Sequence, residues 1–160
     1  EPMGLYSETL TDVAAVSEGS KVGVPNDPTN EARALNLLEA QGLIKLREGA
    51  GLNATPLDIE ENPLKLEFVE LEAAQLPRNL SEFAIAAING NYAIEAGILD
   101  KGIVNESSDS ASAQEYANIL AVRNGELESE KTKALVEVLG SDATREYINT
   151  QYQDQFIPVF

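Results

Sequence analysis

Five polar residues stand where an α/β chain would carry out recognition chemistry. Asn30 and Arg33 lie three apart at the start of a stretch with helical apolar spacing, so a helix there sets both on one face. An arginine so placed grips a carboxylate through two parallel hydrogen bonds. Asn89 and Asn91 follow the apolar run FAIAAI, and Asn118 stands near the start of another, YANILAV. Amide side chains both donate and accept, which suits the ammonium and carboxylate of a zwitterion together. A plainer account runs beside this one. Arg33 is then a solvated helix arginine, and the asparagines are caps and turn residues, the pair Asn89-Gly90 being an ordinary turn signal.

The elements that would position these groups follow from local signals. Lys21–Val24 is short, β-branched and apolar at alternate positions, and Pro25 ends it because it cannot donate to a ladder. Asp27 is a suitable N-cap and Pro28 suits the first helical position. Ala32, Ala34, Leu35, Leu37 and Leu38 supply the apolar face, and Gly42 is a natural stop. The carboxyl end of a strand and the amino end of the next helix form the ligand crevice of open α/β sheets, where free N–H groups and the helix dipole favour an anion.

The carboxylates Asp58, Glu60, Glu61, Glu67, Glu70 and Glu72 form a second candidate. Their spacing matches no calcium loop, and a solvated acidic face accounts for them. A carboxylate-based acid/base enzyme using these groups with Tyr92 or Tyr116 is the rival class of function. No catalytic residue, metal site or cofactor is singled out by any motif.

Composition narrows the classes further. At 160 residues, 43% of them apolar, the chain fits one ordinary domain or two small lobes with a real core. A net charge of −16 argues against nucleic acid and anionic membrane surfaces as partners. The chain has neither cysteine nor histidine, which removes disulfides, thiol and Ser-His-Asp catalysis and the usual zinc ligands. No apolar run approaches the length of a membrane span. Opening at Glu1-Pro2 without an initiator methionine, the chain reads as a processed or truncated product.

Along the remaining chain, residues 1–7 read as an extended lead-in and Thr9–Val16 as weakly helical. Gly42–Glu48 reads as a short strand or helix tail, and the polar, proline-punctuated stretch 55–63 follows. Lys65–Leu71 is expected to be a strand, Glu72–Leu76 a helical turn, and Phe83–Ile88 a strand covered on both faces. Tyr92–Ala96 reads as a short helix, Val104–Ala113 as the most loop-like stretch, and Tyr116–Val122 as another buried strand. Glu128–Leu139 is expected to turn Ala134, Leu135, Val138 and Leu139 inward. A last helix through Tyr152 would bury Tyr147, Ile148 and Tyr152, with the apolar tail FIPVF docked. Strands alternating with helices imply an α/β fold with a mostly parallel sheet.

The strings VPNDPTNEARALNLLEAQGLIKL, LDIEENP, VELEAAQLPR, INGNYAIEAG and YANILAVR closely resemble the NlpA/MetQ family, the methionine-binding lipoproteins of ABC importers. The similarity runs from Pro2 to Phe160. It implies a type II periplasmic-binding-protein fold in two lobes, with a complete lobe two at residues 6–113 and part of lobe one at residues 1–5 and 114–160. By the same resemblance Asn30, Arg33, Asn89, Asn91 and Asn118 are the ligand-binding positions, with Arg33 on the carboxylate. The implied partners are L-methionine or a related amino acid and the importer's permease and ATPase; no cofactor is implied. The implied location is extracytoplasmic and lipid-anchored, with the anchor outside this chain, and an adhesin-like surface role is compatible with it. Family members begin with a lipobox cysteine, a first strand and an aromatic-rich segment that walls the methionine side chain, and this chain lacks all of these. Self-association of the chain through its incomplete lobe is therefore an expectation.

Overall fold

The computed structural model describes residues 2–107, 110–152 and 156–160. Its centre is a five-stranded sheet in the order β5-β2-β6-β1-β7. The strands are β1 (Met3–Tyr6), β2 (Lys21–Pro25), β5 (Glu67–Leu71), β6 (Ile85–Asn89) and β7 (Gly102–Asn105), and a separate two-stranded ribbon pairs β3 (Lys45–Leu46) with β4 (Ile59–Glu61). β2 runs parallel to β5 and to β6, whereas β1 runs antiparallel to both β6 and β7. The α/β class stands, but the sheet is mixed rather than mostly parallel. The residues expected to be a lead-in, Met3–Tyr6, are an interior strand, so residues 3–5 belong with this sheet and not with the C-terminal segment.

Helix α1 (Pro28–Ala40) forms as its signals require. The Asp27 side chain accepts from the Asn30 amide, Pro28 occupies the first turn, and Ala32, Ala34, Leu35, Leu37 and Leu38 are buried. Its end is closed by two crossed bonds. Gly42 N–H donates to Glu39 O at 2.8 Å and Leu43 N–H to Leu38 O at 3.1 Å, with Gly42 at φ 72°. That left-handed conformation at the residue past the cap is the one glycine adopts without a steric cost.

The apolar run of β6 alternates between two cores. Ile85 and Ala87 join Met3, Leu5, Val22, Val24, Leu35 and Leu38 beneath α1. Ala86 and Ile88 join Tyr6, Leu76, Leu80 and Phe83 on the opposite face. Burial on both faces is why this strand lacks polar alternation. The 3-10 segment Ala73–Glu82 covers that second face, and a Cβ built on Gly23 would come within 2.7 Å of the Phe83 ring.

Several local expectations change. Thr9–Val16 holds only a 3-10 turn, Val13–Ala15, and the stretch read as polar spacer contributes β4. Part of the expected loop is β7, followed past residue 110 by helix α3 (Ala111–Glu115). Helix α2 is Gly90–Ala96. Tyr116–Val122 is not a strand: residues 117–122 carry no regular structure, and Ile119 is 86% exposed. Helices α4 (Glu130–Leu139) and α5 (Asp142–Gln151) form with Ser129 and Ser141 as caps. Their apolar side chains are not inward, however. Leu135, Val138, Leu139, Tyr147 and Tyr152 are all exposed; Tyr147 and Phe156 flank the Tyr152 ring without covering it. The tail does dock, Phe156 lying edge-on to Tyr152 at 4.7 Å and Phe160 beneath the Arg145 guanidinium at 4.7 Å. Among the described residues no helix is long and apolar enough to cross a membrane.

Candidate functional site

β2 and β6 are adjacent parallel strands, and each leads at its carboxyl end into a helix, α1 and α2. The polar groups gather there. Asp27 Oδ1 accepts from the Asn30 amide at 3.0 Å, closing the first turn of α1. The Asn30 side-chain nitrogen donates to both Asp27 oxygens at 3.1 and 3.0 Å, which fixes its amide orientation. Its oxygen is thereby turned to accept from Asn89 Nδ2 at 2.7 Å. Asn89 Oδ1 remains buried without a hydrogen-bond partner. An unpaired buried carbonyl costs about 1–3 kcal/mol.

Arg33, one turn beyond Asn30, is buried and ion-paired. Its Nε and Nη2 donate to Glu106 Oε2 at 2.9 and 2.5 Å. Glu106 leaves β7 and is itself buried, its Oε2 also accepting from the Met3 amide at 3.4 Å. Glu31, on the same helix, is buried with one oxygen unpartnered. Burial, then Glu70, then Asp27 push its carboxyl above the ordinary range.

Of the five expected positions, Asn30 and Asn89 touch, and Arg33 lies one turn from Asn30 on α1. Asn91 is in the first turn of α2, two residues past Asn89 and half-buried. Asn118 is exposed, but it borders a cavity of about 180 Å³ together with Pro2, Glu106, Ile148, Phe156 and Phe160. Glu106 was not foreseen. A single glutamate in a serine-rich stretch carries no signal of burial, and only the topology, which brings the end of β7 beside β1 and α1, reveals it.

The acidic residues do not converge. Asp58 pairs with Arg47 at 2.6 Å, and Glu60 and Glu61 pair with Lys45 at 3.3 and 2.9 Å. The Thr55 backbone amide, then Arg47, hold the Asp58 carboxyl below its ordinary range. Tyr116 donates to the Leu52 carbonyl at 3.3 Å, and Tyr92 packs against the second core. Among the described residues no group of three or more potential metal ligands gathers.

Comparison with known proteins gives this arrangement a setting. The NlpA lipoprotein profile matches residues 1–160. The chain is 43% identical over 152 residues to the D-methionine-binding lipoprotein MetQ of Salmonella typhimurium, covering 92% of this chain and 55% of that protein. It is 40% identical over 155 residues to the membrane lipoprotein TpN32 of Treponema pallidum, covering 96% of this chain and 56% of that protein. Among solved structures, a nutrient binding protein from Burkholderia cenocepacia bound to methionine superposes with a TM-score of 0.88 at 44% identity, covering 99% of this chain and 66% of that one. A periplasmic substrate-binding protein of an ABC transporter from Coxiella burnetii gives 0.86 at 44%, with coverage of 99% and 66%. The chain thus spans little more than half the length of the curated relatives it matches. It belongs to the NlpA lipoprotein family.

Proposed function

We propose that this chain is the ligand-binding part of an extracytoplasmic, lipid-anchored substrate-binding protein that delivers methionine, or a related amino acid, to the permease and ATPase of an ABC importer. It is not an enzyme in this reading; binding, closure and handover are the whole mechanism. The observation that carries it is the chain Asp27–Asn30–Asn89, which ends on a buried, unpartnered amide oxygen at the mouth of two parallel strands. The methionine-bound relative from Burkholderia cenocepacia supports the ligand class.

In this reading Asn89 Oδ1 accepts from the ligand ammonium and Arg33 donates to its carboxylate. Asn91 and Asn118 supply further polar contacts from α2 and from the cavity rim. The sheet region, β1 included, forms lobe two up to about residue 113, and residues 114–160 contribute to lobe one. The exposed apolar side chains of that second region make self-association a further part of the proposal. Calorimetry with L-methionine, D-methionine and apolar amino acids tests the function, with light scattering alongside for association. Saturable binding confined to methionine and close analogues is the expected result, and no binding of any amino acid by the protein expressed from its whole reading frame would overturn the reading.

A further inference from the structure

The amides of this site are oriented from one end. A carboxylate only accepts, so Asp27, which takes the Asn30 backbone N–H at 3.0 Å, meets the Asn30 side chain through its nitrogen, at 3.1 and 3.0 Å. That leaves the Asn30 oxygen facing Asn89, and an oxygen there pairs only with the Asn89 nitrogen, at 2.7 Å. The last group of the series, Asn89 Oδ1, is buried without a partner.

This direction is set from a distance. Asn89 stands at the N-cap of α2 but makes no side-chain cap bond there, and among the described residues its side chain has Asn30 as its one hydrogen-bond partner. A half-turn of an asparagine amide exchanges its acceptor for its donors with little change of shape. Asp27 therefore does two separable things. It caps α1, which asparagine does equally well. It also fixes the sense of two amides, and asparagine in its place would not, since one carboxylate oxygen would become a donor. Facing that donor, Asn30 turns its oxygen toward residue 27 and its nitrogen toward Asn89. Asn89 then presents its own nitrogen in place of its oxygen.

We propose that Asp27 is a positioning residue for specificity: acting through Asn30, it holds Asn89 with its oxygen left for the ligand, so that the site takes ligands bringing a hydrogen-bond donor, an ammonium above all. This deepens the amino-acid-binding reading above and rests on it. The test is calorimetry with methionine and with its hydroxy analogue, 2-hydroxy-4-(methylthio)butanoate, whose hydroxyl donates or accepts and so suits either sense of Asn89. In Asp27→Asn methionine should lose on the hydroxy analogue by about tenfold or more, the worth of a hydrogen bond to a charged group. Asn30→Ala leaves the Asp27 cap and charge in place but cuts the link to Asn89, and the same ratio should fall by about threefold or more. A purely capping Asp27 would weaken both ligands alike in Asp27→Asn and leave the ratio untouched in Asn30→Ala. An unchanged ratio in Asp27→Asn overturns the proposal while sparing the reading beneath it. A fall there with no fall in Asn30→Ala also overturns it, because the charge alone would then be acting. Should Asp27→Asn fail to fold by circular dichroism, Asn30→Ala decides: a fallen ratio supports the proposal and an unchanged one overturns it. No methionine binding by the unmodified protein overturns both the proposal and the reading it rests on.

Discussion

Two runs of the chain look alike in sequence and end in opposite states. FAIAAI contributes β6, paired with β1 and β2 and buried on both faces. YANILAV has as many apolar residues, though Asn118 interrupts them, yet residues 117–122 are not a strand, and Ile119 is almost fully exposed. Propensity did not separate them, because both are rich in apolar residues suited to a pleated, covered surface. What separates them is whether, among the described residues, a neighbouring strand pairs with the run and a layer covers its faces. A strand is a property of its partners as much as of its residues. The same contrast extends to the helices. α1 buries its apolar face completely, whereas α4 and α5, equally well capped, leave Val136, Val138 and Tyr147 more than half exposed.

Hydrogen exchange is the most direct way to break this comparison. Amides of residues 85–88 should open only with global unfolding, about 5–15 kcal/mol for an ordinary domain. Those of residues 117–122 should exchange near the unprotected limit, since among the described residues no ladder holds them. Equal protection in the two runs would show that the second run has found a partner.

Arg33→Ala should have the next largest effect, and on two readouts. Removing one member of a buried pair leaves Glu106 uncompensated, a stability loss of about 3–5 kcal/mol. Methionine binding should weaken by about 2–5 kcal/mol, and Arg33→Lys should not restore it, because a point charge lacks the planar fork. Denaturant melts and calorimetry separate the two. Full stability in Arg33→Ala would mean that the pair is not formed in solution.

Packing gives the third contrast. Leu38→Ala, in the closed core, should lose about 2–5 kcal/mol, whereas Val138→Ala, on the open face of α4, should change stability by less than about 0.5 kcal/mol. A large loss at Val138 would mean that a covering surface is present in solution.

What was legible beforehand follows the same division. Asp27, Pro28 and Gly42 bounded α1 because caps and stops are written in adjacent residues. β2 and β6 were found because an apolar run between turn signals needs no distant information. The antiparallel placement of β1, the existence of β7 and the burial of Glu106 depend on which strands meet, and a short strand such as Gly102–Asn105 has no local signature strong enough to show it. For the site, Asn30 and Arg33 were legible from helical spacing. The hydrogen bond from Asn89 to Asn30 and the ion pair of Arg33 depend on contacts 59 and 73 residues apart.

The smallest effect expected is a pH dependence centred on Glu31. Its burial, with Glu70 and Asp27 nearby, raises its folded pKa above the ordinary 4.5. The folded protein therefore holds the proton where the unfolded chain has already released it. Stability contributed by this group is complete below the unfolded value and is lost as pH rises through the folded one. Glu31→Gln, which mimics the protonated form, should stabilise the protein at pH 7, and the gain should vanish below about pH 4. The acidic neighbours on its own helix and on β5 work in the same direction, so Glu70→Gln should reduce the slope without removing it. Melts from pH 4 to 7 read both variants against the unmodified chain. A Glu31→Gln variant less stable at pH 7 than at pH 4, relative to the unmodified protein, would mean that the carboxylate has a partner in solution and that its pKa is not raised.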